Sequence, residues 1–395
     1  MLLARLLDVL LVLVLLVYFV VGWRTGILRT LGGLLGVVAG AAGAFFAIPL
    51  IVPLIPEPGW RLTAAIGLAL VLILAGQGLG VGLARALRGR DAEDRRVAWP
   101  SRLLGGVMGV VIAALASSLV ISSLSALGSP LLSQAAAGSV VLRGIDQLTP
   151  DPVQQGLSRI RAAVLDSGLP RITEALGGVD SSPGAPTLQG TDALGRASAS
   201  VVRINGTAYA CGQNQSGSGF VVARDRIVTN AHVVAGVAEP VVDTRAGQVV
   251  TAKVVYFDPK ADLAVLATSG LAATPLKLSD PLDVGAQGAV DGYPYGGPYT
   301  SGGAQVLARS TELVADIYND SRNPREIYTL AAVVEPGNSG GPLLTTDGRV
   351  AGVVFAESAT DDQLGYASTD ASLAPVAAQA PGLTTAVTAG HCTRG

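Results

Sequence analysis

VEPGNSGGPLL, residues 334–344, sets one serine among glycines and a proline, between apolar flanks. Asn and Gly alone would suffice for a turn, so Ser339 needs a further reason. A serine hydroxyl attacks an amide only when a base takes its proton, and the chain has two histidines. His391 stands in the C-terminal tail and reads as incidental. His232, in RIVTNAHVV (226–234), follows a strand-like run, where a turn can present the imidazole at an edge. A carboxylate must then accept the other ring N–H, fixing the tautomer and stabilising the imidazolium. Asp262, in DPKADLAVLA (258–267), precedes an apolar strand and is placed to do so, whereas Asp258 beside Pro259 reads as an Asx-turn residue.

From about residue 198 the chain is written in short runs rich in Val, Ile and Thr, separated by Gly, Pro and Asp: SVVRI, GSGFVVA, AKVVYF, LAVLAT, GRVAGVVFA. Such spacing predicts an all-β fold, and about 195 residues suffice for two small barrels. The order His232, Asp262, Ser339 is one of the three orders in which such triads occur. TNAHVV, DLAVL, GYPYGGP and GNSGGPL together resemble the chymotrypsin-fold serine proteases, in their HtrA-like branch, over about residues 198–376. The resemblance implies a chymotrypsin-like double β-barrel, a His232–Asp262–Ser339 triad, and an oxyanion hole from the backbone of Gly337, Asn338 and Ser339. Asn338 occupies the place where trypsin-like zymogens carry Asp, so activation by a freed N-terminal amine is not expected. About 20 residues follow the last strand, too few for the PDZ domain usual in that branch. Val333 and the strand VVFAE (353–357) are read as walls of the specificity pocket, without an acidic anchor.

The first third is different in kind. Four apolar runs, roughly 6–22, 27–55, 62–84 and 103–127, can each cross the ~30 Å hydrocarbon layer as helices. Gly36, Gly40, Gly76, Gly78, Gly80 and Gly82 suit close helix packing in lipid. Arg24 and Arg29 mark the first loop as cytoplasmic, and Arg85, Arg88, Arg90, Arg95, Arg96 and Arg102 the third. Everything beyond about residue 128 is then extracytoplasmic. LDVLLVLVLLVYFVVGWRTGILRTLGGLLG (7–36) resembles the CvpA (colicin V production) family in its Arg-Gly turn. The organisation expected is an all-α transmembrane four-helix domain (1–127), a partly helical linker (128–197) ending in the flexible GGVDSSPGAPTLQGTD, and a protease domain (198–395).

A net charge of −2 offers no field for nucleic acid, and neither metal nor cofactor is expected. The two cysteines, Cys211 and Cys392, invite a disulfide in an oxidising compartment. The whole arrangement resembles the actinobacterial membrane-anchored serine proteases associated with acid resistance. That resemblance implies a protease domain in the periplasm, tethered to the lipid bilayer, acting on extracytoplasmic protein substrates, including cell-wall hydrolases, in acid and oxidative stress; the protease domain is expected to be monomeric. The rival expectations are an HtrA-like quality-control protease-chaperone and a membrane scaffold whose protease-like domain only binds peptides.

Overall fold

The computed structural model describes residues 2–51, 58–88, 98–125, 130–150, 152–154, 156–157, 170–172, 176–179, 181–188, 190–208 and 213–393. Contacts divide the chain into two compact units, Arg5–Ser118 and, separately, Leu119–Gly395 with Met1–Ala4.

The N-terminal unit is helical: α1 (Leu2–Thr25), α2 (Ile27–Ile51), α3 (Pro58–Arg88) and α4, which begins at Trp99 and runs to Ser125. Among the described residues three stretches are long and apolar enough to cross a membrane, Leu3–Thr25, Ile27–Ala44 and Trp99–Ile121; the described apolar part of α3 is shorter, Val71–Leu87. The third predicted run, 62–84, lies within α3, and the arginine-rich loop lies mostly outside the described residues. A side chain on Gly36, Gly40, Gly76 or Gly80 would strike the backbone of the facing helix, so these glycines let α2 and α3 pack with their backbones nearly touching. Gly78 and Gly82 face open space and take no part in this contact, contrary to the expectation. Residues four apart share a helix face while those two apart do not, and this explains the split. Gly22 and Gly105 bring α1 and α4 together in the same way.

The second unit is a pair of antiparallel barrels. The first is built from β2 (Val201–Ala208), β3 (Gln213–Ala223), β4 (Arg226–Thr229), β5 (Val241–Thr244), β6 (Val249–Thr251), β7 (Lys253–Asp258) and β8 (Leu263–Ala267). Their order is β6-β5-β2-β3-β4-β8-β7, and the sheet wraps because β6 runs through Ala252 directly into β7. The second comprises β9 (Gln287–Gly292), β10 (Thr300–Ala315), β11 (Arg322–Ala331), β12 (Pro342–Thr345), β13 (Val350–Ser358) and β14 (Leu364–Thr369). It closes through the β13–β14 pairing, and β1 (Arg171–Ile172) lies parallel along β13.

LAVLA in β8 is apolar at every position because both of its faces are covered. Leu263 and Val265 join Phe220 and Val228 against Leu344, Val350 and Val353 in the core between the barrels, and Ala264 and Leu266 fill the interior of the first barrel. Leu373 and Val376, from the C-terminal helix Asp370–Gln379, complete the shared core.

The stretch expected to be a flexible spacer is docked. Leu176 is buried against Phe355 and Tyr366, Ser182 N–H donates to Asp361 (2.8 Å), and Leu188 packs on the shared core. Gly303 of β10 carries no side chain because a Cβ there would collide with the Pro186 carbonyl. The composition of 177–192 reads as a linker because its residues are small and polar, but its backbone groups find partners on the barrel. Helices α5 (Pro130–Gly138) and α6 (Val140–Leu148) were not read from the sequence. Most of the helical reading of 151–176 lies outside the described residues. The tail is also anchored, since Val387 N–H donates to the Val254 carbonyl (2.8 Å) and Gly236 N–H to that of Ala389 (3.0 Å).

Replacing Gly303 by Ala should push residues 186–188 off the barrel and cost about 1–2 kcal/mol. In a Ser339→Ala background, added thermolysin should cut before Leu188 in the variant sooner than in the parent. Identical cleavage and melting would mean the segment is not docked.

Candidate active site

The first barrel brings His232 and Asp262 together. The one-turn helix Ala231–Val234 places His232 opposite the turn that ends β7. Asp262 accepts His232 Nδ1 on both carboxylate oxygens, at 2.8 and 3.0 Å, and also the His232 backbone N–H at 3.0 Å. With Nδ1–H donated to the carboxylate, Nε2 is the free basic nitrogen. Both side chains are buried, at 8% and 4% exposure, so little water competes for this pair.

The turn itself is held at each residue. Asp258 Oδ1 accepts the N–H groups of Lys260 (2.9 Å) and Ala261 (3.0 Å), the Asx-turn role expected of it. Asp262 adopts a left-handed backbone, φ +55°, which Asp tolerates better than most residues. Its carbonyl accepts Asn230 Nδ2–H at 2.7 Å.

The second barrel carries the loop with Ser339. Gly337 (φ +99°) and Gly340 (φ +81°) turn the chain sharply on either side of Ser339. A side chain on Gly337 would meet the backbone of Tyr293, Tyr295 and Gly296, so only glycine lets the GYPYG segment abut the loop. Gly340 N–H bonds to the Val354 carbonyl (2.8 Å) and Gly341 N–H to that of Asn338 (2.9 Å).

Of the three expected oxyanion donors, Asn338 is ruled out in this geometry, because its N–H is engaged by the Glu335 carbonyl at 2.9 Å. The Gly337 and Ser339 amides have no acceptor among the described residues. Ser339 Oγ and His232 Nε2 are both buried, and neither makes a hydrogen bond among the described residues. Such bonds are often long or unformed without substrate. His391 lies apart from this chemistry, stacked on Tyr318 with ring centroids 3.8 Å apart. Of the expected pocket walls, Val333 is half-exposed and Phe355 is buried.

Ser218 joins the two halves. It is fully buried on β3 of the first barrel; its N–H donates to the Ser339 carbonyl (2.8 Å) and its hydroxyl to the Gly337 carbonyl (2.7 Å). The same hydroxyl accepts Tyr293 N–H (2.9 Å), and the Ser218 carbonyl accepts the Thr229 hydroxyl (2.7 Å). Gly217 beside it has no room for a side chain between Val233 and the Ser339 carbonyl. The sequence signal existed, since Gly-Ser-Gly inside a strand marks another backbone approaching closely.

Ser218→Ala leaves the Gly337 carbonyl and Tyr293 amide buried and unpaired, at about 1–3 kcal/mol each. It should slow the reaction of Ser339 with a fluorophosphonate by about tenfold or more, because a displaced loop forfeits part of the ~3 kcal/mol that one oxyanion donor supplies. A wild-type rate in the folded variant would deny Ser218 this role.

With this geometry in hand, comparison with known proteins is direct. Residues 217–353 match the family of trypsin-like peptidase domains, and residues 7–150 match the colicin V production protein family. The serine protease Rv3671c of Mycobacterium tuberculosis is 34% identical over 381 residues, covering 94% of each chain. A crystal structure of that protease in its active form is 35% identical, with a TM-score of 0.49, and covers 56% of this chain and all of the other. A periplasmic DegP-like serine endoprotease of Chlamydia muridarum is 36% identical over 142 residues, 35% of this chain and 27% of its own. Similarity of that extent, running through both the apolar helices and the double barrel, makes the chain a member of the Rv3671c family of serine proteases, with a CvpA-type helical domain and a trypsin-like peptidase domain.

Proposed function

We propose that this serine protease is a membrane-anchored endopeptidase of the extracytoplasmic face, with Ser339 as nucleophile, His232 as general base and Asp262 as the orienting acid. The reading rests above all on the His232–Asp262 pair, which fixes the tautomer and leaves Nε2 to take the Ser339 proton as Oγ attacks the scissile carbonyl. Charge then develops on the carbonyl oxygen, where the unengaged Gly337 and Ser339 amides receive it. The imidazolium, held by Asp262, gives its proton to the leaving amine. Water, activated by the same base, releases the acyl-enzyme.

The arginine loops support an extracytoplasmic protease domain, as does the periplasmic name of the DegP-like relative. In that compartment a Cys211–Cys392 disulfide would tie the tail to the first barrel. In support, Cys392 is not a free thiol, and its Sγ would lie 2.9 Å from a Cβ at Gly236, just past the helix that carries His232. Cys211 lies outside the described residues. The family resemblance supports envelope proteins as substrates, cell-wall hydrolases among them, and a use in acid and oxidative stress.

A membrane-impermeant fluorophosphonate added to intact cells should label the wild type and Asp258→Ala. Ser339→Ala should not be labelled, and His232→Ala and Asp262→Ala should react at least about a thousandfold more slowly. Labelling that requires lysis would overturn the sidedness, and loss in Asp258→Ala with retention in Asp262→Ala would overturn the assignment of the carboxylate.

A further inference from the structure

The turn that carries Asp262 belongs to the first barrel, yet part of its support comes from the second. Ile317, in the loop between β10 and β11, donates its N–H to the Pro259 carbonyl (3.2 Å). Arg325, on β11, donates Nη2–H to the Lys260 carbonyl (2.6 Å). Arg325 is 4% exposed, its guanidinium lies over the Phe355 ring at 5.1 Å, and its buried Nε has no acceptor among the described residues.

This is a costly place for a cation. Burial holds the Arg325 pKa below the ordinary arginine value, and the charges opposing that shift are Asp262 first and then Asp258. A ready partner is passed over. Glu312 stands directly across the β10–β11 ladder, but its carboxylate accepts Gly177 N–H and the Ser310 hydroxyl instead. Were packing alone required, an apolar side chain would fill the space without desolvating a charge.

We propose that Arg325 is a positioning residue for the protease reaction. From the barrel that carries Ser339 it grips the Lys260 carbonyl, and so keeps the Asp262–His232 pair in register with the nucleophile across the seam. This inference rests on the triad reading above. A planar guanidinium seated on an aromatic ring offers a donor of fixed direction, which the flexible ammonium of lysine does not.

The test uses the full-length chain in detergent, reacted with a fluorophosphonate over a range of concentrations, so that the maximal labelling rate separates from the half-saturating concentration. Arg325→Gln, scored on its folded fraction, should lose at least tenfold in maximal rate with half-saturation unchanged. Arg325→Lys should lose at least threefold, and less than Gln. If the Gln variant does not fold, the Lys variant is judged by the same split. A wild-type maximal rate in a folded variant, or a loss confined to half-saturation, overturns the proposal. Ser339→Ala is the control: labelling that survives it would sink the triad reading, whereas its silence beside a wild-type rate in Arg325→Gln would sink only the role of Arg325.

Discussion

The hydroxyl of Ser218 joins the Gly337 carbonyl to the Tyr293 amide at a buried seam where water cannot substitute for it. Buried backbone groups left unpaired are costly, and this one side chain satisfies two of them, one in the Ser339 loop and one in the segment that abuts it. The Ser218 amide holds the Ser339 carbonyl at the same time. The loop on the second barrel thus takes its shape from a strand of the first. Where the first barrel needs bracing, at the Asp258–Asp262 turn, the bonds run the other way, from Ile317 and Arg325. Each barrel thus completes the hydrogen bonding of its neighbour, at the Ser339 loop in one direction and at the Asp262 turn in the other.

Close backbone approach is the second recurring device, and glycine makes it possible in both units. In the helical unit, Gly36 and Gly76 leave nothing between α2 and α3 but backbone. In the protease unit, Gly340 lies against the Ser218 carbonyl and Gly341 against that of Asp291. The purposes differ. In lipid the approach gains packing without a hydrophobic driving force, whereas at the seam it brings amides and carbonyls within hydrogen-bonding range of the catalytic loop.

The residues proposed as the triad stand out in the sequence because the chemistry admits few residue types and the chain offers few candidates: two histidines, one of them in the tail, and a serine in a glycine-rich loop. The barrels were legible from short, regularly spaced runs such as LAVLA between turn residues. What escaped the sequence depends on contacts between distant segments. Ser218 and Gly337 are 119 residues apart, and nothing local distinguishes Ser218 from other strand serines except its flanking glycines. Nothing in the sequence around Arg325 points to the Lys260 carbonyl, 65 residues away, that its guanidinium reaches. Residues 177–192 have the composition of a spacer, and only the pairing of Ser182 with Asp361 and the collision-free groove at Gly303 reveal that they are docked. The status of Asn338 was beyond sequence as well, since its amide is withdrawn from the oxyanion site by Glu335, three residues away, through the particular fold of the loop.

The Ser339 loop, bonded to Ser218 of the first barrel and Val354 of the second, should be as firmly held as the barrels it bridges. Peptide-resolved amide hydrogen exchange of the full-length protein tests this directly. The Ser218 amide, bonded to the Ser339 carbonyl at 2.8 Å, and the Gly340 amide, bonded to that of Val354 at 2.8 Å, should exchange only with global unfolding, as slowly as β8. Exchange of these amides at the rate of an exposed loop would contradict the account.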